Sequence, residues 1–359
     1  MTNSMDKLRV GIIGAGRVGI DWHLPDVRAA GGEVVALADS VAGRAGRFAA
    51  QHGVPNAYDD PLALIHAPEV DIVAICTPPV AHEELALAAI AAGKYVYLEK
   101  PPAMNEAEMQ RIADAAQAAG RPMMVGSNNI YHNDIQTLKR WIDAGTLGKI
   151  YAIEGEKIIR WRTPQGWHRI KAIGGGGVAF NSTAHRIDLV LYLLNDAKPV
   201  GVTGMTFDHF KHLTVEERSY VLRDVEEGLM PPDGVADVED MLMMLIQFEN
   251  GCTVWLRDAS TAHQPDQMRL GIFGTQAGAT LWPLAIHSTT PHGIETDTSL
   301  NVPPGPKGAH VQAYQHFFRC IREDTPTWSP PERAVLIMRI IDALYSSAEQ
   351  GGRQVWLGS

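Results

Sequence analysis

The chain has 359 residues, 45% of them hydrophobic and 20% charged, and a formal net charge of −10. That length exceeds what a single hydrophobic core usually accommodates, so two domains of ordinary globular composition are expected. The acidic balance and the absence of a basic tract argue against nucleic acid or an anionic membrane surface as partner, and favour a small molecule.

The start, Met1 to Lys7, has no apolar run after its charges, and no later stretch approaches the ~20 apolar residues of a membrane helix, so a cytoplasmic protein is expected. In chain order, the apolar strand Val10-Gly11-Ile12-Ile13 runs into Gly14-Ala15-Gly16-Arg17-Val18-Gly19, and a second strand, Val34 to Ala38, ends in Asp39. This is a dinucleotide-binding pattern. Gly14 permits the tight turn out of the strand, Gly16 lets the backbone approach a pyrophosphate, and Gly19 lets the next helix pack on the sheet. Asp39 stands about 20 residues beyond the loop, where a carboxylate accepts from an adenosine ribose and repels a 2′-phosphate. NAD is therefore expected over NADP, with Arg44 near enough to meet a phosphate if its loop turned.

Alternating strands and helices continue to Gly126, as in a parallel sheet covered on both faces. Val70 to Cys76 is a buried strand ending in Thr77-Pro78-Pro79, His82 to Ala92 a helix stopped by Gly93, and Tyr95 to Leu98 a strand ending in Glu99-Lys100-Pro101. Ligands of open parallel sheets bind beyond the carboxyl ends of the strands, which places Thr77, Pro78 and Lys100 at a cofactor. A helix from Glu106 to Ala119 and the strand Met123 to Val125 complete an α/β domain at residues 1–126.

Residues 127–359 read differently. After a helix over about Ile135 to Ala144, longer alternating strands suggest a large, mostly antiparallel open sheet in an α+β domain for substrate binding and oligomerisation. Ile150 to Trp161, Val200 to Thr206, Met241 to Phe248, Thr253 to Asp258 and Met268 to Phe273 are the expected strands, with a hairpin turn at Asn250-Gly251. Phe207 to Asp237, with Pro231-Pro232, suggests a long excursion or lid. A last helix is expected over about Pro331 to Gln350. Cys76, Cys252 and Cys320 lack paired metal spacing and are expected reduced and packed inside. His209 and His212 lack a carboxylate or cysteine partner in pattern, and no metal is expected.

These motifs together resemble the glucose–fructose oxidoreductase / inositol dehydrogenase family, Gfo/Idh/MocA. The resemblance rests on the glycine loop, Thr77-Pro78 with His82, Glu99-Lys100-Pro101, Gly174 to Gly177 followed by His185-Arg186-Ile187-Asp188, Val238-Glu239-Asp240, Phe248 to Gly251, and Gly274-Thr275. It spans about Leu8 to Pro283. It implies a Rossmann domain followed by a domain built on an open, mostly antiparallel sheet, and homodimers or homotetramers in which those sheets pack face to face. It further implies cofactor contacts from Gly14, Gly16, Arg17, Val18, Gly19, Asp39, Thr77, Pro78, His82, Glu99, Lys100 and Asn128.

Moving a hydride from a secondary alcohol requires the hydroxyl proton to leave, so the site needs a base and a group that stabilises the oxygen. In the family the lysine matching Lys100 hydrogen-bonds the reacting hydroxyl, and the histidine matching His185 takes or gives its proton. A helix from Asn181 to Leu194 would set Asn181, His185 and Asp188 on one face. The family commonly has an aspartate where this chain has Asn181, whose amide can orient a hydroxyl but cannot accept a proton. Arg162 and Trp167, in the cationic, indole-rich stretch Lys157 to Lys171, suit a polyhydroxylated ring. Asn129 and Tyr131 are further candidates for substrate contact.

The expected function is NAD-dependent hydride transfer to or from a secondary hydroxyl or ketone of a sugar, glycoside or cyclitol. The alternatives are a cofactor-recycling epimerase or lyase, and a non-catalytic NAD- or sugar-sensing protein like the family's galactose-pathway repressor.

Overall fold

The computed structural model describes residues 7–160, 166–212, 236–303 and 308–358. The chain forms two compact units, Met1–Tyr131 with Gly305–Val335, and His132–Pro304 with Leu336–Ser359. The expected division at 126/127 lies near the first boundary, but the chain also returns to the first unit late. Apolar periodicity marks a helix without saying which sheet it will cover, which is why that return was not legible in the sequence.

In the first unit, strands β1 (Arg9–Ile13), β2 (Glu33–Ala38), β3 (Asn56–Tyr58), β4 (Ile72–Ile75), β5 (Tyr95–Glu99) and β6 (Met123–Gly126) form a six-stranded sheet of order β3-β2-β1-β4-β5-β6, parallel throughout. Helices α1 (Leu24–Ala30), α2 (Arg44–His52), α3 (Pro61–Ile65), α4 (His82–Ala91) and α5 (Glu106–Ala119) connect them. All four residues of β4 are buried, as a strand covered on both faces requires. Successive strands step outward from β1 in opposite directions, to β2 and to β4, and the crevice beyond the carboxyl ends of β1 and β4 is the ligand position of such sheets. Helix α5 begins with a reciprocal cap: Asn105 Oδ1 accepts the Glu108 amide at 2.9 Å while Glu108 Oε2 accepts the Met104 amide at 3.0 Å.

The second unit contains α6 (Asn133–Asp143), β7 (Ile150–Ile158), α7 (Lys171–Gly174), α8 (Ala184–Leu193), β8 (Pro199–Phe207), β9 (Met241–Phe248), β10 (Thr253–Ala259), β11 (Gln267–Gly274), β12 (Gly278–Leu281), β13 (Ala285–Thr289) and β14 (Glu295–Ser299). After β14 the chain enters the first unit as α9 (Ala309–Glu323), continues through α10 (Pro331–Glu349) and ends in β15 (Val355–Trp356). The nine-stranded sheet has the order β14-β13-β12-β11-β7-β10-β9-β8-β15 and is antiparallel except for the β10–β7 pair. At the β9–β10 hairpin Gly251 takes φ +83° and Asn250 Oδ1 accepts the Cys252 amide at 2.9 Å. The strand expected to reach Trp161 ends at Ile158. Trp161, and residues 213–235 of the expected excursion, lie outside the described residues.

Cys252 and Cys320 are buried, and Cys76, the residue after β4, is half-buried. No described helix is long and apolar enough to cross a membrane.

Candidate active site

The glycine loop separates glycines required by the protein itself from one that is not. Gly14 has φ +99°, and a Cβ there would stand 2.7 Å from the Cys76 carbonyl oxygen; a Cβ on Gly19 would stand 2.1 Å from the Gly14 carbonyl oxygen. At Gly16 a Cβ would meet nothing within 4 Å, so packing does not demand glycine there, whereas close approach of a ligand to the backbone does. Across the crevice, the Thr77 hydroxyl after β4 is buried and has no hydrogen-bond partner. An open Gly16 and an unmatched Thr77 hydroxyl fit a dinucleotide pyrophosphate. Past the loop, Val18–His23 is a π-helical turn leading into α1, with exposed Arg17 lying 5.7 Å from the Trp22 ring.

Asp39 organises the loop. Its Oδ2 accepts the Ala15 amide at 2.8 Å and its Oδ1 the Val41 amide at 2.9 Å. Arg44 is turned back onto it, Nη1 to Oδ2 at 3.4 Å. The arginine is thus engaged with the acid of the motif.

Two residues expected at the cofactor, His82 and Glu99, are buried. His82 is fully buried and its Nε2 donates to the Thr77 carbonyl at 2.8 Å, so it supports the Thr77-Pro78 turn from behind; burial holds its imidazole neutral by lowering its pKa. Glu99 is 6% exposed, with Oε1 2.9 Å from His23 Nε2. Its Oε2 accepts the amide of Lys100 at 2.9 Å. Burial pushes this carboxyl up, but His23 outweighs it and holds the pKa at about 2. Asn128 is half-buried, and its Nδ2 meets His310 Nε2.

Lys100 is half-buried where β5 ends, and the buried Pro101 and Pro102 follow it. Asn129 is half-buried in a 3-10 turn. Tyr131, expected to touch substrate, is a core residue of the first unit. It is 2% exposed, its ring stacks on Trp328 at 5.5 Å, and its hydroxyl points to Met124 Sδ at 3.6 Å. An aromatic near a strand end reads the same in sequence whether it lines a cleft or fills a core.

In the second unit the run Gly174 to Gly177 is pinned by Glu239, whose Oε1 accepts the amides of Gly177 at 3.0 Å and Ala179 at 2.9 Å. A Cβ on Gly177 would stand 1.9 Å from the Glu239 carbonyl oxygen. The continuous α-helix expected from Asn181 is instead a π-helical turn, Ala179–Thr183, followed by α8, so Asn181 and His185 are separated by a change of helical pitch. Thr183 Oγ1 bonds the Val178 carbonyl and the buried Asp258, which also pairs with Arg186. From Thr183 to Leu191 every residue is buried except His185, which is half-exposed; Asp188 is in that core. Asn181 is half-buried. Trp167 sits in a 3-10 turn against Gly174, with its ring 3.6 Å from that of His168. Arg162 lies outside the described residues. Lys100 and the cofactor loop thus belong to one unit, and His185, Asn181 and Trp167 to the other.

Two family models match the chain in tandem: an oxidoreductase family NAD-binding Rossmann fold over residues 8–127, and the C-terminal alpha/beta domain of the same family over residues 139–357. The chain belongs to the Gfo/Idh/MocA oxidoreductase family. The Gfo/Idh/MocA match runs beyond Pro283, where the motifs legible in the sequence ended. Among curated relatives, the chain is 29% identical over 358 residues to D-glucoside 3-dehydrogenase of Escherichia coli K12, covering 98% of each. It is 25% identical over 270 residues to myo-inositol 2-dehydrogenase of Thermotoga maritima, covering 75% of this chain and 73% of the relative. Among solved structures, its fold resembles that of a levoglucosan dehydrogenase in complex with NADH and levoglucosan, with a TM-score of 0.83 and 23% identity over 98% of this chain and 100% of the other.

Proposed function

We infer that this protein is an NAD-dependent dehydrogenase that moves a hydride between nicotinamide and a secondary hydroxyl or ketone of a sugar, glycoside or cyclitol. The observation that carries the reading is Lys100, placed at the carboxyl end of β5 in an NAD-binding Rossmann sheet whose Gly16 is open to a ligand. The glucoside and inositol dehydrogenases among its relatives support the substrate class. When bound, NAD supplies the hydride acceptor.

In this reading the Lys100 ammonium donates to the substrate oxygen and stabilises its developing negative charge. His185, half-exposed in the stretch from Thr183 to Leu191 whose other residues are buried, takes the hydroxyl proton in oxidation and returns it in reduction. Asn181 orients a neighbouring hydroxyl, since an amide can donate and accept but not remove a proton. Trp167 offers an indole face to the C–H side of a ring, with Arg162 and Asn129 as polar contacts. The second sheet leaves Leu245 and Phe273 exposed at 37% and 38%, which suits burial against a second copy in a homodimer or homotetramer.

The test is NADH formation at 340 nm with NAD or NADP across sugars, glycosides, inositols and sugar acids. Growth of signal with one substrate, lost in Lys100→Met, is the expected result. Tight NADH binding without net turnover on any of them would replace this reading with a cofactor-recycling enzyme or a sensor.

A further inference from the structure

Behind Lys100 runs a buried chain of hydrogen bonds drawn from three distant parts of the sequence. Tyr314 Oη in α9 lies 2.6 Å from His23 Nδ1, His23 Nε2 lies 2.9 Å from Glu99 Oε1, and Glu99 Oε2 accepts the Lys100 amide at 2.9 Å. His23 and Tyr314 are fully buried and Glu99 nearly so. We propose that His23 and Tyr314 act through Glu99 as positioning residues for Lys100, fixing where the chain leaves β5 and hence where the amine is presented. This rests on the dehydrogenase reading.

Two features favour this over simple core filling. A buried ion pair can usually be replaced by apolar side chains of similar volume without loss of stability. The apolar material is already there: Tyr97 stacks on Tyr314 at 4.5 Å and meets the edge of Phe317 at 6.0 Å. A carboxylate does what that packing cannot, since one oxygen holds the imidazole while the other receives a backbone N–H in a fixed direction. In addition, Pro101 and Pro102 have no amide hydrogen, so the Lys100 amide is the last backbone donor available to anchor the exit from β5. Gly126 leaves room for this carboxylate: a Cβ there would stand 2.8 Å from Glu99 Oε1, the oxygen that meets His23.

The charges are also arranged. Asp26 on α1, Cys76 after β4, Tyr97 on β5, and His310 with Tyr314 on α9 face the pair, together with Lys100. Burial pushes the Cys76 thiol up; burial also lowers His23, but Cys76 and then Glu99 raise it to about 10, which makes it an imidazolium near neutral pH. With His23 charged, the Glu99 carboxylate beside Lys100 is compensated. Without it, the carboxylate would act on the ammonium alone.

The experiment compares wild type with Tyr314→Phe and His23→Gln, both first shown to unfold cooperatively. Tyr314→Phe keeps the stacked ring if His23→Gln does not fold. The first readout is amide hydrogen exchange in the peptide covering residues 99–103, where only Glu99, Lys100 and Ala103 carry an amide hydrogen. Lys100 is expected to exchange roughly tenfold faster in the variants, the loss expected of about one hydrogen bond to a charged group. The second is a kinetic split: kcat reduced roughly tenfold with KM for NAD within about twofold, and in His23→Gln a pH limb of kcat moved to higher pH. Unchanged Lys100 exchange and unchanged kcat in the folded variants would overturn the proposal. Faster Lys100 exchange in the variants, with a wild type that oxidises no sugar, would leave the coupling standing and remove the dehydrogenase reading instead.

Discussion

Asp39, at the end of β2, accepts the amide of Ala15 in the glycine loop at 2.8 Å. The acid at the position that faces a ribose in this kind of sheet is therefore also a clamp on the glycine loop. Because the same carboxylate holds Val41 and Arg44, its removal disturbs three partners at once. Asp39→Ala is expected to weaken NADH binding by roughly 10- to 100-fold, the range for losing a hydrogen bond to a charged group, and to narrow the preference over NADPH. Fluorescence titration with both nucleotides measures this; equal affinity of variant and wild type for NADH would remove Asp39 from the cofactor site.

Lys100→Met is expected to lower kcat by roughly 100- to 10,000-fold while NADH still binds, because the glycine loop is untouched. His185→Gln should cost a similar factor and flatten one limb of the kcat/KM profile. Single-turnover absorbance at 340 nm separates lost chemistry from lost binding.

Asn181→Asp places a carboxylate in the middle of the π-helical turn that precedes His185. A nearby negative charge favours the imidazolium, so the His185 limb of kcat/KM should move to higher pH. Asn181→Ala should instead raise KM for the sugar with the limb in place. A profile identical in all three proteins would show that residue 181 does not act near His185.

Stability should carry the signature of the His23–Glu99 pair. Glu99 is lowered from 4.5 to about 2, so its contribution is present above pH 4.5 and is lost as pH falls toward 2. Burial alone would lower His23, but Cys76 and then Glu99 outweigh it and raise the pKa from 6.5 to about 10, so its contribution is present below pH 6.5 and lost as pH rises toward 10. The advantage of wild type over Glu99→Gln in urea unfolding should therefore be greatest between pH 4.5 and 6.5 and shrink on either side.

Asn105→Ala removes the cap of α5 and should cost about 1 kcal/mol of stability with kcat and KM unchanged. Thermal unfolding alongside steady-state kinetics checks it, and provides a destabilised but active control for the variants above.

The first domain was largely legible in the sequence because its strands are short apolar runs buried on both faces, each ended by a turn signal. The run Val10 to Ile13, the loop from Gly14 to Gly19 and the acid Asp39 are local, and so is Lys100 at the end of β5. The hairpin at Asn250-Gly251 is equally local. By contrast β3 is three residues long, and β12 to β14 are short strands at one edge of the second sheet, too brief to show a period.

What the sequence by itself determined was the order of elements and the residue types at their ends, since both follow from periodicity and from the backbone demands of glycine and proline. Only the tertiary structure decided which way each side chain faces. It turned Glu99, His82 and Tyr131 inward, replaced the expected first turn before His185 with a π-helical one, and brought Tyr314 to His23 across 291 positions of sequence. Such pairings depend on which surfaces a folded chain buries together, and no local pattern encodes that.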